Sequence, residues 1–206
     1  MKRNCLFSLI VVFSFLQLNA QSTIAQDRIK KKKIVQKIMD LTPFNQFDLK
    51  INKANVFLKR GLEQKVEIKG QPEIIDRINT EVVDGEWVIS LDESVKKHKY
   101  LSIYITVADL KGLTLSSSGQ IVSTSEFRSA HNLIVNLTGI GMIRLSGTAQ
   151  SIVVNNIGLG TIDLTNFKSV DCTVNIFGRG ICKVNPMDLL TTNVAGGGQI
   201  IYKSVR

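Results

Sequence analysis

Histidine is nearly absent from this sequence: His98 and His131 are the only two among 206 residues. One falls in a lysine-rich loop and the other in a predicted turn. Two isolated imidazoles cannot supply the clustered ligands of a metal site or the base of a nucleophilic triad, so both are expected at the surface. Cysteine is scarce too. Cys5 stands near the start, and only Cys172 and Cys182 follow, which excludes a fold framed by disulfides. Acids are outnumbered, 17 against 26 basic residues, for a net charge of +9. Trp87 is the single tryptophan, expected to pack on an apolar face rather than to stack on sugars. No catalytic, cofactor-binding or metal-binding residue is assigned, and no cofactor is expected.

Long apolar runs are missing as well. None reaches the roughly 18 residues that a membrane span requires. Cys5 to Leu16 is apolar, follows Lys2 and Arg3, and gives way to Leu18-Asn19-Ala20, so residues 1–20 read as a secretory signal peptide. Cleavage after Ala25 is the alternative. Once residues 1–20, with Lys2 and Arg3 and no acid, are gone, the net charge is near +7 and no transmembrane segment is expected. Residues 21–43 read as a basic leader or linker, with a lysine run from Lys30 to Lys33 extended by Lys37. A solvated leader is the plain reading, and contact with an anionic surface is the functional one. No aromatic residue interleaves with these lysines, so single-strand nucleic-acid recognition lacks its stacking platform.

What the chain does have is glycine at a near-constant interval. The motif returns as Ser117-Ser118-Gly119, Gly139-Ile140-Gly141, Gly158-Leu159-Gly160, Gly178-Arg179-Gly180 and Gly196-Gly197-Gly198, in steps of 22, 19, 20 and 18 residues counted on the last glycine. A period of this size marks a stacked solenoid. Aligned on the glycines, period-2 columns emerge on both sides of the turn. Before it run Leu113, Val135, Val154, Val174, Thr192 and then Leu115, Leu137, Asn156, Ile176, Val194. After it run Ile121, Ile143, Ile162, Cys182, Ile200 and then Ser123, Leu145, Leu164, Val184, Tyr202. Each repeat is thus two short strands with one buried face, and the fold class is an all-β parallel β-helix of ~20-residue coils with Gly-x-Gly turns.

The outward columns carry the same register. Between the two inward positions lie Thr114, Asn136, Asn155, Asn175 and Asn193, a file whose stacked amides can bond from coil to coil. Asn136-Leu137-Thr138 matches a glycosylation sequon, but its place in this file favours the structural role. After the turn the outward file reads Val122, Arg144, Asp163, Lys183, Ile201, with alternating charge in its middle. The paired glycines are expected to serve positive φ at the corner.

Upstream, residues 44–110 read as an irregular N-terminal part of β-hairpin-rich coils, joined to the regular repeats of residues 111–206 in one domain, 44–206. Asp84-Gly85 between Thr80–Val83 and Trp87–Leu91 is a two-residue hairpin signal. Pro72 introduces a short helical turn toward Ile78, and Val95 to Lys99 forms a basic loop. The acids do not converge. Asp163 is the only one in an aligned outward strand column of the repeats, while Asp171 and Asp188 are expected in connections. Polysaccharide cleavage needs two facing carboxylates or an acid cluster around a cation, and neither emerges. Cys172 and Cys182 fall in inward columns and read as two buried thiols rather than a bridge.

With these glycine pairs between short apolar strands, the chain resembles the auto-transporter adhesins with a head GIN domain, found in exported proteins of Bacteroidetes-like bacteria. The resemblance continues through Phe47-Asp48-Leu49-Lys50-Ile51, Val82-Val83-Asp84-Gly85, Ile103 to Leu110 and the closing Gly-Gly-Gly-Gln-Ile-Ile-Tyr at 196–202. It spans roughly residues 44–206. Where that family commonly places an acid after its turn, this chain has Gln120, Met142, Thr161, Ile181 and Gln199. The resemblance implies a β-helix related in shape to pectin lyases and adhesion without catalysis, and it supplies no functional residues.

The expectation is therefore an exported non-enzymatic module for adhesion or surface interaction, residing in the periplasm, on the outer membrane or outside the cell. Its partner would be an envelope or surface component, protein or polysaccharide, and not a specific nucleic acid. The alternatives are a carbohydrate-active enzyme, or a scaffold binding anionic envelope polymer through its basic surface.

Overall fold

The structure, a computed structural model, describes residues 33–95, 98–99 and 101–203, with Ala130 and His131 by their backbone alone. The signal-peptide expectation, Lys30 to Lys32 of the leader, and Lys96 and Lys97 of the basic loop lie outside the described residues. The first half of the chain forms β1 (Val35–Met39), β2 (Gln46–Leu49), β3 (Asn55–Arg60), β4 (Lys65–Gly70), α1 (Pro72–Ile75), β5 (Val82–Val83), β6 (Glu86–Ile89) and β7 (Leu101–Val107). There follow β8 (Gly112–Leu115), β9 (Gln120–Ser123), β10 (Phe127–Leu137), β11 (Met142–Asn156), β12 (Thr161–Ile176), β13 (Ile181–Val194) and β14 (Gln199–Tyr202). Among the described strands every pairing but β1–β4, β4–β7 and β5–β6 is parallel, and the chain winds as a β-solenoid.

The glycine-anchored columns are the observed register. Leu113 pairs with Val135, Val135 with Val154, Val154 with Val174 and Val174 with Thr192. Val135, Val154 and Val174 are fully buried, each worth about 1.5–3 kcal/mol by transfer out of water. After the turn Ile121, Ile143, Ile162, Cys182 and Ile200 form a second file. Asn156 sits in the first inward set with no exposed surface, and it is satisfied there. Its Nδ2 donates to the Gly160 carbonyl at 3.1 Å while its Oδ1 accepts from the Gly158 amide at 3.3 Å, so it ties the turn from inside.

The corner glycines serve another purpose than expected. Of the described glycines only Gly85, Gly147 and Gly196 have positive φ, so Gly139, Gly141, Gly158, Gly160, Gly178 and Gly180 do not need left-handed backbone. They are required because successive corners press on one another. A Cβ on Gly158 would overlap the carbonyl oxygen of Gly139, one on Gly139 that of Ser117, and one on Gly178 would lie 2.6 Å from that of Gly158.

The N-terminal part departs from chain order. β2 lies between β6 and β8, and β3 between β7 and β9, all in parallel. The coil of residues 46–60 is thus inserted between two coils that follow it in sequence. β4 then pairs antiparallel with β7, and β1 with β4, closing one side. The sequence expectation of several hairpins is corrected to one, β5–β6, because β3 and β4 take their partners from β7 rather than from each other. That hairpin turns at Asp84 (φ 50) and Gly85 (φ 77), both left-handed as a two-residue turn demands. β1 also falls inside the stretch read as leader. Trp87 is fully buried, donates from Nε1 to the Asn79 carbonyl at 2.9 Å and packs against Phe44 with ring centroids 5.5 Å apart.

Candidate functional site

With the interior filled by aliphatic side chains, chemistry is left to the outward files. The file before the glycine corner is longer than the repeats suggested, since Asp48 pairs with Thr114 and extends it. Its amides form a ladder of one polarity. Asn175 Nδ2 donates to Asn155 Oδ1 at 2.8 Å, Asn155 Nδ2 to Asn136 Oδ1 at 2.8 Å, and Asn136 Nδ2 to Thr114 Oγ1 at 3.3 Å. Burial pushes the Asp48 carboxyl above its ordinary range, against the opposing pull of a Ser116 hydrogen bond and of Lys50 at 3.8 Å.

After the corner, Asp163 pairs in register with Arg144 and Lys183 as expected. Partial burial works to raise its carboxyl. It is overcome by two hydrogen bonds from Thr165, at 2.7 Å from Oγ1 and 3.2 Å from the amide, and by Lys183 and Arg144, so the group is held below its usual value. Farther along the same file Phe57 and Tyr104 stack on each other, centroids 5.1 Å apart, and Glu67 follows.

Two residues beyond that file, a second corner opens into a groove. Lys65 pairs with Thr106, and Thr106 with Lys59. Two residues past Val122, Arg144, Asp163, Lys183 and Ile201 in the chain come Thr124, Ser146, Thr165, Asn185 and Lys203, which line one hollow of about 490 Å³ together with Lys168 and Glu126, although in register Ser146 meets Asn166 and Asn185 meets Lys168. A neighbouring hollow of about 690 Å³ shares Thr124 and adds Lys59, Lys65, Thr106, Phe57 and Tyr104. A third, of about 270 Å³ and walled by Arg60, Leu62 and Glu126, shares wall residues with both. The three hollows make one trough along the solenoid axis. Bulges shape it: the register slips between Arg144 and Ser146 against β12, and between Asp163 and Lys168 against β13. A bulge re-aims side chains and bends the strand, and here it turns hydroxyls and amides into the trough. Asn185 is fixed by its donation to the Thr165 carbonyl at 3.0 Å, and Ser123 Oγ accepts from the Ser146 amide at 2.7 Å.

The sequence did not point to this trough, although its columns carried a signal. Extending the outward file from Val122, Arg144, Asp163, Lys183 and Ile201 by two residues yields Thr124, Ser146, Thr165, Asn185 and Lys203, all short donors or a lysine. The glycine corner differs. Its tips Ile140, Ile157, Leu159 and Phe177 are 50–66% exposed and apolar.

The remaining candidates fall as follows. Cys172 and Cys182 are free and buried, in the expected files, and burial pushes both thiols up to about 11. Asp171 lies within β12 in register with Ser151 and Leu189, and Asp188 within β13, which corrects their placement in connections. The continuous strands leave no loop there. His98 is half-buried rather than at the surface, and His131 lies on β10 at a register irregularity rather than in a turn. Among the described residues no three His, Cys, Asp or Glu side chains cluster as metal ligands, and no helix is long and apolar enough to cross a membrane.

A family model described as "Putative auto-transporter adhesin, head GIN domain" matches residues 49–204. No curated protein matches the chain. Among solved structures, a "putative adhesin" from Bacteroides fragilis is similar with a TM-score of 0.64 at 19% identity, over 84% of this chain and 98% of that one. A "putative lipid binding protein" from Parabacteroides distasonis (TM-score 0.47, 14% identity) and a "putative adhesin" from Parabacteroides merdae (0.46, 13%) cover the same shares, 84% and 98%. The first of these likenesses establishes a shared fold.

Proposed function

Because this chain belongs to the family of auto-transporter adhesins with a head GIN domain, we propose that it is an exported, non-enzymatic module that engages an envelope or surface component. The trough carries this reading: hydroxyls, amides and cations line it, with apolar side chains toward one end. Hydrolysis of glycosides uses a general acid whose pKa is raised. Two acids of the neighbouring outward file are shifted the other way. Glu67 is lowered by its hydrogen bond from Lys65, at 2.9 Å, and Asp163 by Thr165, Lys183 and Arg144. Export is supported by the residue pattern of the first 20 positions, and the periplasm, the outer membrane or the cell exterior are the compartments it leads to.

The test is to incubate the purified chain with acidic and neutral polysaccharides, with and without calcium, and with envelope fractions. No new reducing ends or unsaturated products are expected, and the protein is retained on the envelope fraction. Turnover that vanishes in Asp163→Asn would overturn the non-enzymatic reading. Failure to be retained on any envelope material would overturn the adhesive one.

A further inference from the structure

We propose that the trough binds a linear polysaccharide bearing carboxylates, laid along the solenoid axis. The proposal rests on the surface-interaction reading and names its ligand. The trough crosses eight strands in sheet order, from β4 through β7, β3, β9, β11, β12 and β13 to β14. At ~4.8 Å per strand that is about 34 Å, the footprint of an extended chain rather than a compact molecule.

Its chemistry suits sugars. Thr106, Thr124, Ser146, Thr165 and Asn185 follow one another along it; the Thr124 and Thr165 hydroxyls donate to the Leu58 carbonyl and to Asp163, so they offer sugars acceptor lone pairs, while the lysines supply donors. Leu62, 96% exposed, and the edges of the Phe57–Tyr104 pair add apolar surface at one end for the C–H faces of the rings. The charges select an acid. Lys65 is paired with Glu67, and Lys59, Arg60, Lys168 and Lys203 outnumber Glu63 and Glu126; these cations lie at both ends, where they can take carboxylates along an extended chain. A nucleic acid is disfavoured because Phe57 and Tyr104 stack one face on each other and have Val122 and Glu67 as their outer neighbours in register, a poor platform for successive bases. A peptide is disfavoured because the trough crosses strands instead of following an open edge that a new strand could join.

The experiment is a calorimetric titration of the full purified chain with oligogalacturonate and, separately, with its methyl ester. The free acid should bind, and should bind roughly tenfold more tightly than the ester, the size of one charge-assisted hydrogen bond. Lys59→Ala/Lys168→Ala/Lys203→Ala should lose at least that factor while keeping the wild-type melting temperature. Ile140→Ser/Leu159→Ser, at the glycine corner, should bind as wild type. Equal affinity for acid and ester would overturn the carboxylate assignment. Undiminished binding in the triple variant, or equal binding to duplex DNA, would overturn the site. If oligogalacturonate fails to bind while the wild-type chain is still retained on envelope fractions, the ligand assignment falls and the adhesive reading stands. Loss of both sinks the two together.

Discussion

Each coil of this solenoid turns two unlike corners. At the glycine corner, backbone stacks on backbone, the period is rigid, and the exposed tips are Ile140, Ile157, Leu159 and Phe177. At the other corner the strands bulge, the register slips by one or more residues, and the exposed groups are hydroxyls, amides and lysines. The difference teaches where sequence constraint comes from. Where coils approach too closely for a Cβ, only glycine fits and the sequence repeats. Where they part, side chains are free to vary, and a polar trough can be built without leaving a period.

Core and trough lie one residue apart, and substitution should separate them most sharply. Leu164 is buried with 1% exposure, so Leu164→Asp sets an unpaired charge among stacked aliphatic residues and should cost more than about 4 kcal/mol, abolishing the cooperative melt. Thr165→Ala, facing out, removes the hydroxyl's bond to Asp163, leaves the one from the backbone amide, and should cost about 1 kcal/mol. Equal melting temperatures would refute the assignment of faces.

The two corners should differ nearly as much. Gly158→Val drives a side chain into the Gly139 carbonyl and should lower stability by roughly 3–5 kcal/mol. Ser146→Ala, at the trough, should cost under about 1 kcal/mol in a chemical denaturation curve. A mild effect at Gly158 would mean that the corners do not touch.

Much of the fold could be read from the chain, and the reason is the glycine corner. Coils from residue 111 onward follow one another in space as in sequence, so aligned glycines place Val135 beside Val154 and Asn155 beside Asn175. The N-terminal coils gave no such period because their order in space is not their order in the chain: Gln46 meets Gly112 and Glu86, each tens of residues away. β1 was missed because Val35–Met39 carries three exposed positions in five and shows no buried alternation. The trough escaped notice because its residues lie one step beyond the glycine-anchored columns, where the register slips around Thr165 and no buried alternation marks a face.

A smaller effect should distinguish the two outward files by pH. Asp163 has its folded pKa below the unfolded value of 3.8, so it contributes stability above that value and loses it as pH falls through the folded pKa. Asp48 has a raised pKa, so its ionisation costs stability that is absent below the unfolded value of 3.8, grows as pH rises past it and is complete above the folded value. Asp163→Asn should therefore lower the melting temperature at pH 7, and Asp48→Asn should raise it, with both differences fading toward pH 3. The same sign for both variants would contradict the electrostatics of one file. Smallest of all, Cys172 and Cys182 should resist iodoacetamide at pH 8 in the folded chain and both react after unfolding, as buried thiols with pKa values near 11 must. Labelling of either in the folded chain would show that its coil opens.

One corner of the solenoid holds the stack and the other is the face for the proposed ligand. Amide chemical shifts followed during titration with oligogalacturonate test it most directly. Shifts are expected at Thr106, Thr124, Ser146, Thr165, Asn185 and Lys203, with the Ile140, Leu159 and Arg179 turns unmoved. Shifts centred on those turns, with the trough silent, would contradict it.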